Sequence, residues 1–508
     1  MAVSVSFPGV YVEEISSGVR TITGVSTART AFVGSAIKGP VNEPTLIFSF
    51  ADYERTFGGL WAKSTMSFAV RQYFDNGGGE ALIVRVIPTD AATAVTRLDG
   101  TPHPDYQFSA SSPGLWGNDL SLSVDLITRD PANTALANIT VLLKDVEVEV
   151  LRNVLVPDVK RTMEQRSAFI RFTDTSTPAT LAASAAPPPL PHMTGGEDGA
   201  LLTSTALKSA QLVGSATARS GMNALATVDI FNILCLPPPK FGDHVVDTDY
   251  QEAAKFCADH RAMLLVDPPS DATPPSGPGG AVAAFQNTAV SPFRKNAAAF
   301  YPFLLAPNPL SGVIEPFVPC GAVAGVFART DAQRGVWKAP AGIDAGISGI
   351  VGFSVTLTDP ENGVLNKEAV NCLRTFPTYG NVVWGSRTFD GADAIGSEWK
   401  YVPVRRLALF IEESLFRGLK WVVFEPNDEP LWSQIRLNVG AFINNLFRQG
   451  AFQGASPKDA YFVKCDSSTT TQNDINLGIV NILVGFAPLK PAEFVILKLQ
   501  QIAGQIQV

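Results

Sequence analysis

Ile230-Phe231-Asn232-Ile233-Leu234-Cys235-Leu236, a helix-forming stretch over 251–260, and then Ala262-Met263-Leu264-Leu265-Val266-Asp267 set the fold class. Each short run is nearly all apolar, so it reads as a strand covered on both faces. Two such strands separated by a helix predict a parallel α/β arrangement, and 297–305 supplies a third strand. Residues 200–354 therefore read as a small inserted α/β domain.

Upstream, Thr30-Ala31-Phe32-Val33-Gly34 is a buried strand and Leu46-Ile47-Phe48 a second. Ser64 is an N-cap candidate for a helix running to Phe74, and Asn76-Gly77-Gly78-Gly79 stops it. The β-prone Ala81-Leu82-Ile83-Val84-Arg85-Val86 follows. Residues 91–199 change texture: short β-like stretches (120–127, 139–143, 146–150 and 168–172) lead to the stiff Pro187-Pro188-Pro189-Leu190-Pro191. They predict an inserted β-rich domain.

Residues 355–508 carry the clearest helices. Leu407, Ile411, Ser414 and Leu415 share helical spacing. A longer helix starts near Asp428, tolerates Pro430 in its first turn, and shows the stripe Leu431, Ile435, Val439, Phe442 and Leu446 before Gly450. Trp421-Val422-Val423-Phe424, Tyr461-Phe462-Val463-Lys464, 479–484 and 494–499 read as strands.

Both ends are strand-forming. Val3-Ser4-Val5-Ser6-Phe7 alternates apolar with polar, Pro8-Gly9 interrupts, and Val10-Tyr11-Val12 resumes. Such a broken strand suits an edge or a free arm. Phe494-Val495-Ile496-Leu497-Lys498-Leu499 mirrors it at the other end. Val3, Val5, Val10, Tyr11 and Val12, with Phe494, Ile496 and Leu499, are thus candidates for pairing with another copy of the chain.

The composition agrees. The 508 residues exceed one ordinary core, which predicts several domains. Charged residues are 17%, against about 25% in an average soluble chain, which suits a subunit covered on many sides. A net charge of -8 supplies no basic stripe for nucleic acid. The five cysteines are scattered and odd in number, as expected of free thiols made in a reducing compartment. The N-terminus has no basic and apolar leader pattern, and no apolar run approaches the roughly 18–20 residues of a membrane span. Synthesis and assembly in the cytoplasm are expected, without membrane insertion.

Chemistry-bearing motifs are sparse. Cys257-Ala258-Asp259-His260 offers two metal ligands without a second pair. Gly77-Gly78-Gly79 precedes a strand, whereas a phosphate cradle follows one and ends in Gly-Lys-Ser/Thr. Leu264-Leu265-Val266-Asp267 resembles a magnesium-holding strand end but lacks the lysine-bearing loop. The run Gly342, Gly346, Gly349, Gly352 reads as a loop, and no Gly-x-Ser-x-Gly elbow occurs. Glu412-Glu413, and Glu425 with Asp428-Glu429, belong to a helix face and a helix start. No catalytic residue, metal or cofactor is expected.

Several segments resemble contractile tail sheath proteins in order. They are Phe7-Pro8-Gly9-Val10-Tyr11-Val12-Glu13-Glu14, Gly24-Val25, Ala31-Phe32-Val33-Gly34, Lys38-Gly39-Pro40, Phe57-Gly58-Gly59 and Phe74-Asp75-Asn76-Gly77-Gly78. Later ones are Val383-Trp384-Gly385-Ser386-Arg387-Thr388, Tyr401-Val402-Pro403-Val404-Arg405-Arg406, Ile411-Glu412-Glu413-Ser414, Phe424-Glu425-Pro426-Asn427 and the stretch 485–494. The close of the chain is most similar to sheaths of phage-tail-like extracellular contractile injection systems. Myophage tail and type VI secretion sheaths are relatives, the latter split over two chains.

The resemblance implies a multidomain α/β (α+β) protein. Residues 1–22 form an N-terminal arm, and 23–90 with 355–508 a conserved sheath domain ending in a C-terminal strand. Residues 91–199 and 200–354 are its outward insertions. It implies a helical homopolymer around an inner tube protein, with baseplate and terminal cap partners, contracting from a metastable extended state. It places tube contacts on the polar face of the long helix, at Arg436, Asn444, Asn445 and Arg448. A static fibre or surface-layer protein, or a hydrolase using the middle domain, are the alternatives.

Overall fold

The structure is a computed structural model and describes residues 20–102, 105–184, 190–200, 210–270, 280, 285 and 292–498. The chain divides into two compact units. One comprises Ser26–Gln333 and Ala339–Val402; the other comprises Met1–Val25, Arg334–Lys338 and Pro403–Val508.

In the larger unit the chain runs β1 (Thr30–Gly34), β2 (Thr45–Ile47), α1 (Phe50–Phe57), α2 (Met66–Asp75) and β3 (Ala81–Arg85). The insert follows with the antiparallel β4 (Leu120–Asp125), β5 (Leu136–Leu143) and β6 (Val146–Leu155), then α3 (Val159–Arg166). The chain returns through β7 (Ile233–Cys235), α4 (Asp247–Asp259), β8 (Met263–Val266), β9 (Ala297–Tyr301) and α5 (Cys320–Arg334). It closes with α6 (Asp359–Lys367), β10 (Val370–Phe376) and β11 (Gly380–Val383).

Eight strands make one sheet in the order β11-β10-β9-β8-β7-β1-β3-β2. The six inner strands are parallel, and β2 and β11 are antiparallel edges. Alternate residues of each strand face opposite layers. Phe32, Ile83, Leu265 and Phe300 meet Tyr53, Phe57, Tyr73 and Phe327 of α1, α2 and α5. Val33, Val84, Leu234 and Leu264 meet Tyr250, Ala253, Cys257 and Leu365 of α4 and α6. Coverage on both sides explains why these strands read as apolar runs without alternation.

This topology corrects the expected domain boundaries. Residues 23–90 do not form a separate piece with 355–508; β1, β2 and β3 lie in the same sheet as the strands of 200–354 and of 370–383. Register joins them, with Phe32 opposite both Ile83 and Cys235. Other differences are local. The strand expected over 297–305 is two strands, Ala297–Tyr301 and Leu304–Pro307, divided at Pro302, which has no N–H to donate. Thr65 occupies the N-cap position of α2 without a side-chain cap bond, while the Ser64 hydroxyl one residue earlier accepts the Met66 N–H (3.3 Å) and donates to the Ser35 carbonyl (2.7 Å).

The β-rich insert has its own core around Phe108, Leu122, Ile139, Val141 and Met163. Two basic residues fasten it to the sheet. Arg85, at the end of β3, donates to the carbonyls of Ala36, Ile37 and Gly39, and to that of Pro113 in the insert at 2.8 Å. Burial pulls its guanidinium down to about 10. Lys38 lies over the rings of Trp116 and Phe169, at 5.7 and 4.7 Å.

Arg387 is the largest fully buried side chain among the described residues. Its guanidinium donates to the Asn366 and Gly391 carbonyls and pairs with Asp393 (2.9 Å). Asn371 accepts the Arg387 N–H and donates to the Ala299 and Arg387 carbonyls. The segment 383–388 is thereby locked against β9 and β10, so this sequence motif is architectural.

Two features yield stability predictions. Helices α2 and α5 approach so closely that a Cβ on Gly321 would lie 2.1 Å from the Ala69 carbonyl oxygen. Gly321→Val should therefore cost about 3 kcal/mol, the upper end for overpacking, read as a lower urea midpoint; an unchanged midpoint contradicts that contact. Asp267, buried at the end of β8, accepts the Cys320 N–H (2.8 Å) at the start of α5, and its Oδ2 has no partner. Burial pushes its carboxyl up to about 7. A raised acid holds its proton in the folded chain after the unfolded chain has released it, near pH 4. Stability should fall by roughly 2–4 kcal/mol between about pH 4 and 7 and level off above. Asp267→Asn should lack that fall; parallel pH profiles for the two proteins would refute it.

Candidate assembly interface

The smaller unit is built on α7 (Val402–Gly418), which enters it at Pro403, and α8 (Glu429–Arg448). Asp428 caps α8 through its carboxylate, which accepts the Leu431 N–H, and Pro430 sits in the first turn. The stripe Leu431, Ile435, Val439, Phe442 and Leu446 is buried, as its spacing predicts. It packs with Leu407 and Ile411 of α7 and with Ile22.

Residues 20–25 run along this helix pair. The Arg20 N–H donates to Asn438 Oδ1 (3.2 Å), and the Arg20 guanidinium stacks 4.6 Å from the Trp421 ring. The Val25 N–H donates to the Ser414 hydroxyl at 3.3 Å. Gly24 meets the Phe410 ring so closely that a Cβ would lie 2.8 Å from it. The N-terminal segment is therefore rooted on helices from the other end of the sequence.

Beside the helices lies an antiparallel ribbon of β12 (Tyr461–Lys464) and β13 (Leu483–Phe486), with Tyr461 opposite Phe486. A Phe452–Pro488 bridge extends it. It is two strands wide among the described residues. Phe462 and Leu483 are exposed on it, and Phe494, Val495, Ile496 and Leu497 follow it, each at least 74% exposed. An isolated two-stranded ribbon is marginal in water, and its unpaired N–H and C=O groups form a template for another strand.

The predicted arm residues divide. Val3, Val5, Val10, Tyr11, Val12 and Leu499 lie outside the described residues. Phe494 and Ile496 are exposed in a segment without regular pairing, so the strand expected over 494–499 is not formed within the subunit across its described part. The strand expected over 479–484 lies later, at Leu483–Phe486. Trp421-Val422-Val423-Phe424 is no strand: Lys420–Val422 form a 3-10 turn after α7, Trp421 packs on the unit's core, and Phe424 turns the chain at φ 71°. Packing overrides β propensity there.

The predicted tube-contact residues do not share one face. Arg436 pairs with Glu429 (2.5 Å) and donates to the Cys465 carbonyl, and Asn444 Oδ1 accepts the Tyr461 hydroxyl at 3.2 Å. Asn445 and Arg448 are exposed, with Leu437 and Ala441 on the same side of α8. At about 100° per residue, Arg436 and Asn445 point in opposite directions. Leu437, which the sequence reading did not single out, lies outside the apolar stripe and is exposed.

The chemical candidates are tied up structurally. His260 Nδ1 faces the Phe256 carbonyl (2.9 Å) while its ring packs on Phe256 and Phe231. All five cysteines are buried thiols. Among the described residues no three His, Cys, Asp or Glu side chains gather as a metal site, and no helix is long and apolar enough to cross a membrane.

The phage tail sheath protein central domain matches residues 212–389, and the phage tail sheath C-terminal domain matches residues 396–502. The tail sheath protein of Burkholderia phage BcepMu is 24% identical over 469 residues, 88% of this chain and 87% of that one. That of Vibrio phage KVP40 is 26% identical over 178 residues, 35% of this chain; the match spans only about a quarter of the longer relative. The sheath complex of an extracellular contractile injection system, PVC, in its contracted state shares the fold. Its TM-score is 0.60, with 23% identity over 98% of this chain and 99% of that one. The contracted helical sheath of the anti-feeding prophage gives 0.59, with 24% identity over 98% and 100%. With two matched domains covering more than half of its length, the chain belongs to the phage tail sheath family.

Proposed function

We propose that the chain is the structural subunit of a contractile sheath, without enzymatic activity. Copies polymerise helically around an inner tube, dock on a baseplate, and contract from a metastable extended lattice to drive the tube through a target envelope. The observation that carries this reading is the ribbon of β12 and β13, two strands wide among the described residues beside the exposed apolar residues 494–497, in the unit that also holds residues 20–25 of a tail sheath chain.

Strand addition would complete the ribbon. Val3, Val5, Val10, Tyr11 and Val12 of one neighbour, and Phe494, Ile496 and Leu499 of another, are the segments assigned to it. Four to six backbone bonds at about 0.5–1.5 kcal/mol each give one arm a few kcal/mol. That is weak for a pair and sufficient when each subunit is tied to several others. Head-to-tail ties do not close, and so produce a helix. The eight-stranded sheet, covered on both faces, suits a body that slides without deforming while the arms hold.

The exposed side of α8, with Asn445 and Arg448 and flanked by Asn444, is assigned to the tube; Arg436, paired with Glu429, is at its margin. Electron cryo-microscopy of intact particles reads which helix lines the lumen, and another element there ends that assignment. A terminal cap and assembly in the cytoplasm before release complete the proposal.

Purified protein should form striated tubes of two lengths and widths; a single lattice spacing under every condition would indicate a static fibre instead. A chain lacking residues 1–12 should stay folded and soluble, with an unchanged melting temperature, yet sediment as a monomer. Normal tubes from that deletion would remove the arm's role.

A further inference from the structure

We infer that residues 342–348, a glycine-rich strap along the outer side of β11, are an edge guard that closes the eight-stranded sheet to strands of other copies. The guard is a property of the subunit alone. Only its consequence, that strand pairing between copies is left to the ribbon of the smaller unit, rests on the proposed assembly.

A sheet has two edges, and an open edge is a template for a foreign strand. At one edge β2 is only three residues long, and the next amide, of Phe48, donates to the Asp52 carboxylate (3.0 Å). At the other edge the strap bonds to β11. The Ile347 N–H donates to the Asn381 carbonyl (2.8 Å), the Val383 N–H to the Ala345 carbonyl (3.0 Å) and the Gly342 N–H to the Val383 carbonyl (2.9 Å). Gly346 lies opposite Val382. Ala345 and Ile347 are buried in the sheet's core, which pins the register. Gly342 (φ 103°) and Gly349 (φ 78°) turn the chain at the two ends, in a conformation that suits glycine. A Cβ on either would meet nothing within 4 Å, so it is the turning of the backbone, not crowding, that calls for glycine. A strap this short, with a turn at each end, offers little template of its own.

A clamp holds the strap in place. Asn76, buried at the end of α2, accepts the Ser348 N–H at Oδ1 (2.8 Å) and donates from Nδ2 to the Ser348 carbonyl (3.3 Å). These two bonds imitate those of a neighbouring strand. Nδ2 also donates to the Gln72 carbonyl (2.9 Å). From α5, Arg329 donates to the carbonyls of Asn76 (3.0 Å) and Gly346 (2.5 Å). Its stem lies against Gly77, where a Cβ would come within 2.8 Å of the Arg329 Cβ. The glycine-rich stretches 76–79 and 342–352, for which no ligand chemistry was found, thus work as one device. A buried network satisfied at this many points is costly to open, and removing one member leaves the others unpaired.

The test uses the full chain in its dissociated form. In Asn76→Ala and Arg329→Met, amides of 342–349 and 380–384 should exchange with solvent at least tenfold faster than in wild type. Residues 30–34 and 297–301 should keep their protection. Both variants should associate, by sedimentation, at a protein concentration at least tenfold lower than wild type, and electron microscopy should show no tubes at that concentration. Arg329→Met keeps the stem against Gly77 and supplies the comparison if Asn76→Ala unfolds the sheet. A cross-link checks the cause. Opposed residues at this type of antiparallel pair have Cα atoms about 4.5 Å apart, within disulfide reach. Oxidised Gly346→Cys/Val382→Cys in the Asn76→Ala background should restore the wild-type association threshold, and reduction should abolish the rescue. A strap that loosens without lowering the threshold overturns the guard, as does association that survives the cross-link. A wild-type strap that exchanges as fast as an open loop overturns it too. Failure of wild type to form tubes would sink the sheath reading and leave these comparisons, made on the subunit, standing.

Discussion

A ribbon of two antiparallel strands offers one hydrogen-bonded seam and leaves two open edges. In this chain that ribbon, Tyr461–Lys464 with Leu483–Phe486, is braced by α8 on the core formed with α7 and Ile22. Among the described residues no third strand joins it, and the apolar residues at 494–497 beyond it are exposed. A fold that stops a sheet at two strands has either a weak point or a docking site. The tail sheath family match favours the second, and the low charge of the chain fits a molecule whose surface is largely covered in use.

The larger unit answers a different requirement. Its sheet is sealed on both faces, α2 and α5 touch backbone to backbone at Gly321, and the insert is tied down by Arg85 through neutral carbonyls. Arg387 and Asn371 lock the segment after β11 against β9 and β10. Such packing resists small deformations, because interiors at crystal density transmit displacement instead of absorbing it. Rigid bodies joined by extended segments are a mechanical division of labour. In the proposed sheath, the bodies would set the spacing between copies and the segments would preserve connectivity when that spacing changes.

Much of the body was legible in the sequence. Thr30–Gly34 and the stripe of α8 stand where their patterns place them, because burial on both faces and a period of 3.6 leave strong marks. The domain boundaries were not legible. Nothing local in Thr30–Gly34 announces that its neighbour is Ile233–Cys235, two hundred residues later, across a folded insert. The helix α3 was hidden for the opposite reason: Val159-Lys160-Arg161-Thr162-Met163 has only two buried anchors and little stripe to detect. At the interface, β propensity misled. Trp421–Phe424 and 494–499 are composed as strands, but one is bent by packing and the other has no partner within its own subunit across its described part.

The contacts that root the N-terminal segment join residues far apart in time as well as in sequence. Arg20 meets Asn438, 418 positions later, and Val25 meets Ser414, 389 positions later. At about 5–20 residues per second, a ribosome needs roughly 20–80 s to connect them. Throughout that interval the leading segment has no cradle of its own, while the ribbon it would serve on another molecule exists only on finished chains. Translation thus imposes an order of events. Under the proposed strand exchange, a nascent chain on a polysome would display its strand-forming end before anything that can receive one, so unfinished neighbours would not zip together through complementary halves.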